Sequence, residues 1–282
     1  MPSRQTRIAF LFVIILMFIP FQAAEASEFP FTVYPVPEKG TILKWEKVNE
    51  LLPTGKKFKV IDLETGFYLS VQRRAGNKHA DVQPLTYKDT AVLKYLYNGK
   101  WSWRRRAILI PVKGKMLAAS MHGMPHGAGA LPNGFPGHFC IHFAGSTTHK
   151  TRNADPSHKL MILKAGGKLE DYAHHANPHQ VVQMYLLSLK ENDPDLMKPV
   201  LPEKGDLRKR LLKTGKGVTA IHYDIRGKES KKHRTFKTVI PIKTIIYRKN
   251  EGVEKRMVHI TVARLTPWSA WKISKVNWGE ED

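Results

Sequence analysis

The sequence predicts an α+β protein, with a mostly β first domain that has short helices and a second domain made of a helix and a curved antiparallel sheet. Two observations carry this prediction. Over residues 28–165, short runs of alternating apolar residues are separated by glycine-containing turns. After residue 178, an apolar helical stripe precedes four longer alternating runs. We therefore predict domains at 28–165 and 178–282, joined by a linker at 166–177.

The first 26 residues have the pattern of a cleavable signal peptide. Arg4 and Arg7 precede an apolar run at 8–21, and Ala24-Glu25-Ala26 places small residues before a cleavage point at Ser27. The apolar run is shorter than the ~20 residues that a membrane-spanning helix needs. We expect a secreted protein at the extracellular face or in the cell wall, with no transmembrane segment in the mature chain.

The chain is strongly basic. Its formal net charge is +22, and cleavage of the signal peptide leaves +21. A field of this sign favours polyanions, and outside the cell these are anionic wall polymers and acidic lipids. No zinc-finger, basic-zipper or other nucleic-acid signature is present, so nucleic acid is not a predicted partner. The alternative is a lysine-rich surface that serves solubility alone.

Local patterns define the elements of the first domain. Trp45, Val48, Leu51 and Leu52 have helical spacing before Pro53. The remaining predicted elements are a hairpin at 58–63 and 67–71, a helix at 86–97 with Thr86 and Asp89 at its cap, a hairpin at 107–112 and 116–121, a glycine- and histidine-rich loop at 122–138 and an apolar piece at 139–143.

The second domain begins with a capped helix. Asn177 and Pro178 fit the cap and first-turn positions, and an apolar stripe follows them. Strands are predicted at 218–225, 235–247, 256–265 and 270–276. In its order of elements this segment resembles nuclear-transport-factor-2-like (cystatin-like) folds.

Cys140 is the one cysteine of the chain, so it cannot form an internal disulfide. A thiol nucleophile needs an imidazole near its sulfur. His138 lies two residues before Cys140, and His122 and His126 lie in the preceding loop. On a strand, His138 and His142 would share the face of Cys140. This pattern predicts an activated thiol with a pKa below the ~8.5 of a free cysteine; the alternative is an inert buried thiol.

These residues resemble the active-site signature of L,D-transpeptidases, which act on peptidoglycan. The signature is a histidine followed by Gly or Ser, a loop, and then Ser/Thr-His-Gly-Cys. His122-Gly123 and His138-Phe139-Cys140-Ile141 match its two ends, with fifteen residues between the histidines. The resemblance implies that Cys140 is the nucleophile, His122 the proton acceptor and His138 a polarising partner. His126-Gly127 is an alternative base.

The chain departs from this signature at three positions. Gly137 stands where the family has Ser or Thr, Phe139 replaces the glycine before the cysteine, and His142 replaces a polar residue. Stretches such as Trp101-Ser102-Trp103 also resemble secreted cell-wall proteins of Gram-positive bacteria. The residues assigned to substrate binding are Gly137, Asn133, His142, Trp103 and Arg105.

The resulting hypothesis is a cysteine-dependent enzyme that acts on peptidoglycan stem peptides through a thioester, without a cofactor. A metal-dependent alternative is a zinc peptidase of peptidoglycan, whose ligands would come from His79, Asp81, His138 and His142, with Cys140 as a further thiolate. A third possibility is a basic wall-binding protein without enzymatic activity, in which the histidine-rich loop is structural or binds a metal.

Overall fold

The computed structural model describes residues 31–148, 153–226 and 235–279. The predicted signal peptide lies outside the described residues. The fold is α+β, as predicted, with a closed six-stranded antiparallel barrel and a four-stranded antiparallel sheet. Within the described ranges, no helix combines the length and apolar character that crossing a membrane requires.

The barrel has six strands, and each strand pairs with two neighbours. Its strands are β1 (Lys57–Asp62), β2 (Tyr68–Ala75), β3 (Ala80–Pro84), β4 (Arg106–Val112), β5 (Lys115–Met121) and β6 (Phe139–His142). They pair in the order β1-β2-β3-β6-β5-β4, and β1 pairs with β4 to close the barrel. The β1–β2 and β4–β5 hairpins confirm the predicted ones, and their turns contain Gly66 and Gly114 at positive φ.

Three helices match predicted ones, namely those at Trp45–Leu51, Tyr87–Leu96 and Pro178–Glu191. The helices of the described residues are α1 (Trp45–Leu51), α2 (Tyr87–Leu96), α3 (Pro156–Ala165), α4 (Leu169–His175), α5 (Pro178–Glu191) and α6 (Asp206–Lys213), with single 3-10 turns at Pro194–Leu196 and Lys198–Val200. Thr86 with Asp89 and Asn177 with Gln180 form complete capping boxes, which fix the starts of α2 and α5. The predicted linker at 166–177 contains α4.

The C-terminal sheet follows α5 and α6 along the chain. Its strands are β7 (Val218–Ile225), β8 (Lys237–Arg248), β9 (Gly252–Ala263) and β10 (Lys272–Asn277), paired in the order β10-β9-β8-β7. All four lie close to their predicted positions. The resemblance to nuclear-transport-factor-2-like folds depends on this order of helix and sheet, and it stays a prediction.

Two clusters of buried side chains form the core. One fills the barrel with residues such as Val60, Leu69 and Ile141. The other joins the outer face of the barrel, through Leu109 and Ala118, to α3, α5 and the C-terminal sheet. The two-domain division stays a prediction, and its two parts share this second cluster.

Strand alternation decides where the polar residues of β3 and β6 lie. Val82, Phe139 and Ile141 point into the barrel core. Because successive side chains alternate between faces, Asp81 and Cys140 point to the outer face. These two residues are directly opposite each other in the antiparallel β3–β6 pair.

Candidate functional site around Cys140

Cys140 lies at the centre of a cluster of imidazoles on the outer face of the barrel. The cluster draws on the turn before β3, β3 itself, β6, the loop before β6 and helix α3; its members are His79, Asp81, His122, His126, His138, Cys140, His142 and His158. The sulfur is 3.3 Å from His126 Nε2 and 3.5 Å from Asp81 Oδ1. The structure therefore places one imidazole and one carboxylate in direct contact with the thiol.

His126 is held by its own loop and by β6. The main chains of His126 and His138 exchange two hydrogen bonds, of 3.0 and 2.9 Å. Glycines permit this close pairing: a Cβ on Gly127 would lie 2.4 Å from the His138 ring, and one on Gly137 would lie 2.6 Å from the His126 carbonyl oxygen. Both glycines also have positive φ, which side-chain-bearing residues rarely adopt. Gly137, predicted to bind substrate, thus serves to bring two histidines together.

The tautomer of His126 follows from its hydrogen bond. Its Nδ1 lies 3.1 Å from the carbonyl oxygen of Met124. A carbonyl can only accept, so Nδ1 carries a proton, and the opposite ring nitrogen, Nε2, faces Cys140. In His122 the role of Nδ1 is reversed, because this nitrogen accepts a hydrogen bond from the backbone N–H of Met124 at 3.3 Å. The sequence favoured His122 as the base, whereas the distances favour His126.

A column of stacked rings lies beside the thiol. His142 stacks on His79 with centroids 4.7 Å apart and on His158 with centroids 3.8 Å apart, and the rings are nearly parallel in both pairs. His158 Nδ1 is 2.9 Å from Ser120 Oγ. Burial lowers the pKa of His158 and of His122 well below the usual value. These two imidazoles are therefore neutral at physiological pH.

The thiol itself is shielded. Cys140 is 3% exposed, and burial raises the pKa of its thiol, with the Asp81 carboxylate as the next contribution. The prediction of a lowered thiol pKa is therefore wrong: desolvation and a nearby negative charge both oppose the thiolate. The proton must leave the sulfur during a reaction, because a thiolate–imidazolium pair is not the resting state.

Trp103 and Arg105, both predicted to bind substrate, differ in how accessible their side chains are. Trp103 is half exposed, and its ring lies 4.7 Å from that of His122 and 5.5 Å from that of His126. Arg105 is less available, because its guanidinium pairs with Asp155 at 2.7 Å. Trp103 therefore offers a half-exposed aromatic face beside His122 and His126, and Arg105 fixes the segment that carries it.

Asn133 was predicted to bind substrate and Asp81 to bind zinc in the metal-dependent alternative, and the structure gives the contacts of both. Asn133 is fully buried and hydrogen-bonds the backbone of Pro84 and Phe135, so it holds the loop in place. Asp81 Oδ1 lies 3.0 Å from His79 Nε2 and 3.9 Å from His138 Nε2. Of the proposed zinc ligands, His79 contacts Asp81 and also stacks on His142, and His138 lies farther from Asp81.

Sequence reasoning missed His158, which reaches the site from α3. A signal was available: His158, Met161, Ile162 and Ala165 recur at helical spacing, and all four are buried. A histidine within such a stripe must find a polar partner inside the fold. His158 does so at Ser120, which is directly opposite His142 in the β5–β6 pair.

Comparison with known proteins does not assign the chain to a family. No protein-family model matches the chain, and no curated protein matches it significantly.

The raised pKa of the thiol leads to a test of its environment. Replacing Asp81 with asparagine removes a negative charge 3.5 Å from the sulfur and should lower the pKa of Cys140. Alkylation by iodoacetamide at pH 7 should accelerate, by about tenfold for each pKa unit lost. The exposed Glu46→Gln variant is a matched control and should react like the wild type. Unchanged or slower alkylation of the Asp81→Asn protein would contradict the assigned charge effect.

Proposed function

We propose that the protein is a cysteine-dependent acyl transferase of the L,D-transpeptidase type, acting on peptidoglycan stem peptides. One observation carries the proposal: the 3.3 Å contact between Cys140 Sγ and His126 Nε2, in which the opposite ring nitrogen of His126 is held by the Met124 carbonyl. Nucleophile, base and orienting group are the three parts that covalent catalysis by a thiol requires. The main chain supplies the third part here.

In the acylation step, the sulfur attacks the carbonyl carbon of a stem peptide as its proton passes to His126 Nε2. A carbon–sulfur bond forms, and the carbon–nitrogen bond of the peptide then breaks. The leaving amine takes the proton from His126. The amine of a second stem peptide, or water, attacks the thioester and gives its proton to His126. The carbon–sulfur bond then breaks, and His126 returns this proton to the sulfur, which restores the thiol.

The neighbours of the pair have supporting roles in this scheme. His138 packs on His126, with ring centroids 4.5 Å apart, and restricts the motion of the base. Trp103 covers His122 and His126 and provides a surface against which a sugar or peptide can pack. Asp81 opposes the thiolate, so proton removal has to accompany attack on the carbonyl.

The proposed place of action is the cell envelope. The signal peptide would export the chain, and the formal charge of +21 that remains after its cleavage would attract the mature protein to anionic wall polymers. Part of this charge lies in α6, where Arg208, Lys209, Arg210 and Lys213 are clustered. Peptidoglycan and its attached polyanions are thus the proposed partners.

The decisive experiment follows the acyl group. The mature protein is incubated with disaccharide-tetrapeptide muropeptides, and both products and intact protein are analysed by mass spectrometry. We expect loss of the terminal residue of the stem, with transfer or hydrolysis, and an acyl adduct on Cys140. Cys140→Ala should abolish adduct and turnover. Turnover that persists in Cys140→Ala, or a wild type that neither forms an adduct nor alters any stem peptide, would refute the proposal.

A further inference from the structure

Two large apolar side chains are almost fully exposed in the turn between β9 and β10. Leu265 is 94% exposed and Trp268 is 84% exposed, more than any other large apolar side chain among the described residues. Single exposed apolar residues are common on protein surfaces. Two of them at one short turn, however, form a paired apolar tip whose exposure to water is unfavourable unless another surface covers it.

Hydrogen bonds within the turn fix its shape. The backbone N–H of Ser269 donates to the carbonyl of Thr266 at 3.2 Å, which closes a β-turn with Pro267 at its second position. The hydroxyls of Thr266 and Ser269 lie 2.7 Å apart, and each also accepts a hydrogen bond from the backbone N–H of the other residue. The exposure of Trp268, at the third position, is therefore the property of an ordered turn.

The base of the turn is anchored in the sheet. The backbone N–H of Arg264 donates to the carbonyl of Phe236 at 2.9 Å, and its guanidinium donates to the carbonyl of Pro267 at 2.7 Å. The same guanidinium lies 4.6 Å from the centroid of the Trp271 ring, which is buried. One tryptophan of this segment thus packs into the core and holds the turn in place, whereas Trp268 remains outside.

The strands around the turn are basic. Lys237 of β8 and Lys272 of β10 are both directly opposite Ala263, the last residue of β9, so they lie on either side of the start of the turn. The Lys272 ammonium donates to the carbonyl of Pro199, a neutral partner that leaves its charge in place. The one acidic residue within β8, β9 and β10 is Glu254, near the far end of β9. The charge at the turn is therefore complementary to an anionic surface.

An apolar tip within a basic surround fits the surface of an anionic lipid bilayer. Tryptophan is enriched at the membrane–water interface, because its ring is apolar and its N–H is polar. Leucine adds apolar area that is buried at the boundary of the acyl chains. A sugar stacked on Trp268 would leave Leu265 in water. Two side chains are also far from the ~800 Å² per partner that a stable protein interface buries.

We propose that the turn at 264–271 is a membrane-contact element, in which Leu265 and Trp268 insert into an anionic lipid surface and Lys237 and Lys272 face its phosphates. The proposal goes beyond acyl transfer and does not depend on it, because the turn contains none of the residues assigned to that reaction. It adds a lipid partner to a protein in whose described residues no helix is long and apolar enough to cross a bilayer.

Binding to vesicles tests the proposal directly. The mature protein is mixed with vesicles of phosphatidylglycerol and phosphatidylcholine in equal amounts, and the bound fraction is measured by co-sedimentation. We expect Leu265→Ala and Trp268→Ala each to weaken binding about tenfold or more, as for removal of a large apolar side chain from an apolar environment. Tyr87→Ala is the matched control, because Tyr87 is 68% exposed on α2, and this variant should bind like the wild type.

Two further measurements separate insertion from attraction by charge alone. Lipids with brominated acyl chains should quench the tryptophan fluorescence of the bound wild type, and Trp268→Phe should lose most of this quenching while it still binds. Vesicles of phosphatidylcholine alone should bind at least about tenfold more weakly, because they lack the negative surface potential.

The proposal fails if the wild type does not bind the anionic vesicles, or if Leu265→Ala and Trp268→Ala bind them like the wild type. It also fails if brominated lipid does not quench, if phosphatidylcholine binds equally well, or if the turn mediates binding to purified peptidoglycan in place of vesicles. Cys140→Ala should bind vesicles like the wild type, so failure of the proposed enzymatic function leaves this test unaffected.

Discussion

Replacing His126 with alanine is expected to lower the rate of stem-peptide acyl transfer about 100- to 10,000-fold, the range typical for loss of a general base. The reason is the position of His126 Nε2, 3.3 Å from Cys140 Sγ. The His122→Ala variant is the matched comparison, because the same residue type is removed from the same loop. It should lose less activity, since His122 Nδ1 is engaged by the Met124 N–H. Rates are compared as kcat/KM on one muropeptide.

This comparison separates two assignments of the base. The resemblance to L,D-transpeptidases implies His122, whereas the distances imply His126. Equal losses in the two variants, or a larger loss in His122→Ala, would contradict the role given to His126. Thermal unfolding of both proteins serves as a control, so that a change in activity is not confused with a loss of folded protein.

The second large effect concerns stability. Asp62 is fully buried at the end of β1 and accepts two hydrogen bonds from Arg106 of β4, at 2.6 and 2.9 Å. Asp62→Ala would leave the mostly buried guanidinium without this partner, at a cost of about 3–5 kcal/mol in the free energy of unfolding. For a chain of this size, the melting temperature should fall by about 10 °C. Calorimetry or thermal circular dichroism measures the change.

Glu64 provides the control for this prediction. It also pairs with Arg106, at 2.8 Å, but it is largely exposed. Exposed ion pairs contribute about 0–1 kcal/mol, so Glu64→Ala should leave the melting temperature almost unchanged. A similar loss of stability in both variants would show that burial does not set the strength of the Asp62–Arg106 pair.

Local patterns in the sequence predicted most of the elements because local chemistry determines them. Asn177 and Pro178 place the start of α5, and Gly66 and Gly114 supply turns at positive φ. The basic helix α6 was missed, since its residues attract attention as a charge cluster before a helical pattern. Closure of the barrel was also missed. It depends on β1 and β4 pairing at Ile61 and Leu109, and no local signal encodes a contact over that separation.

The sequence predicted many of the residues of the candidate site, but only part of their spatial arrangement. The sequence identified Cys140, His126 and His138 as neighbours, because they are close along the chain. It could not place Asp81 opposite Cys140, since strand register between distant segments is not visible in one sequence. The same limit explains the pKa of the thiol: the sequence shows nearby imidazoles, whereas burial and the facing carboxylate, which raise the pKa, arise from tertiary packing.

The attachment of the Trp103 segment restricts how this gene can recombine. The backbone N–H of Arg105 donates to Glu191 of α5 at 2.6 Å, and the Arg104 guanidinium donates to the carbonyl of Val218 in β7 at 2.9 Å. The segment that carries Trp103 is thus anchored in the C-terminal half of the chain. A gene fusion that joined the barrel to an unrelated C-terminal half would remove both of these hydrogen bonds. Trp103 keeps its position only when the barrel and its own C-terminal half are encoded in one gene.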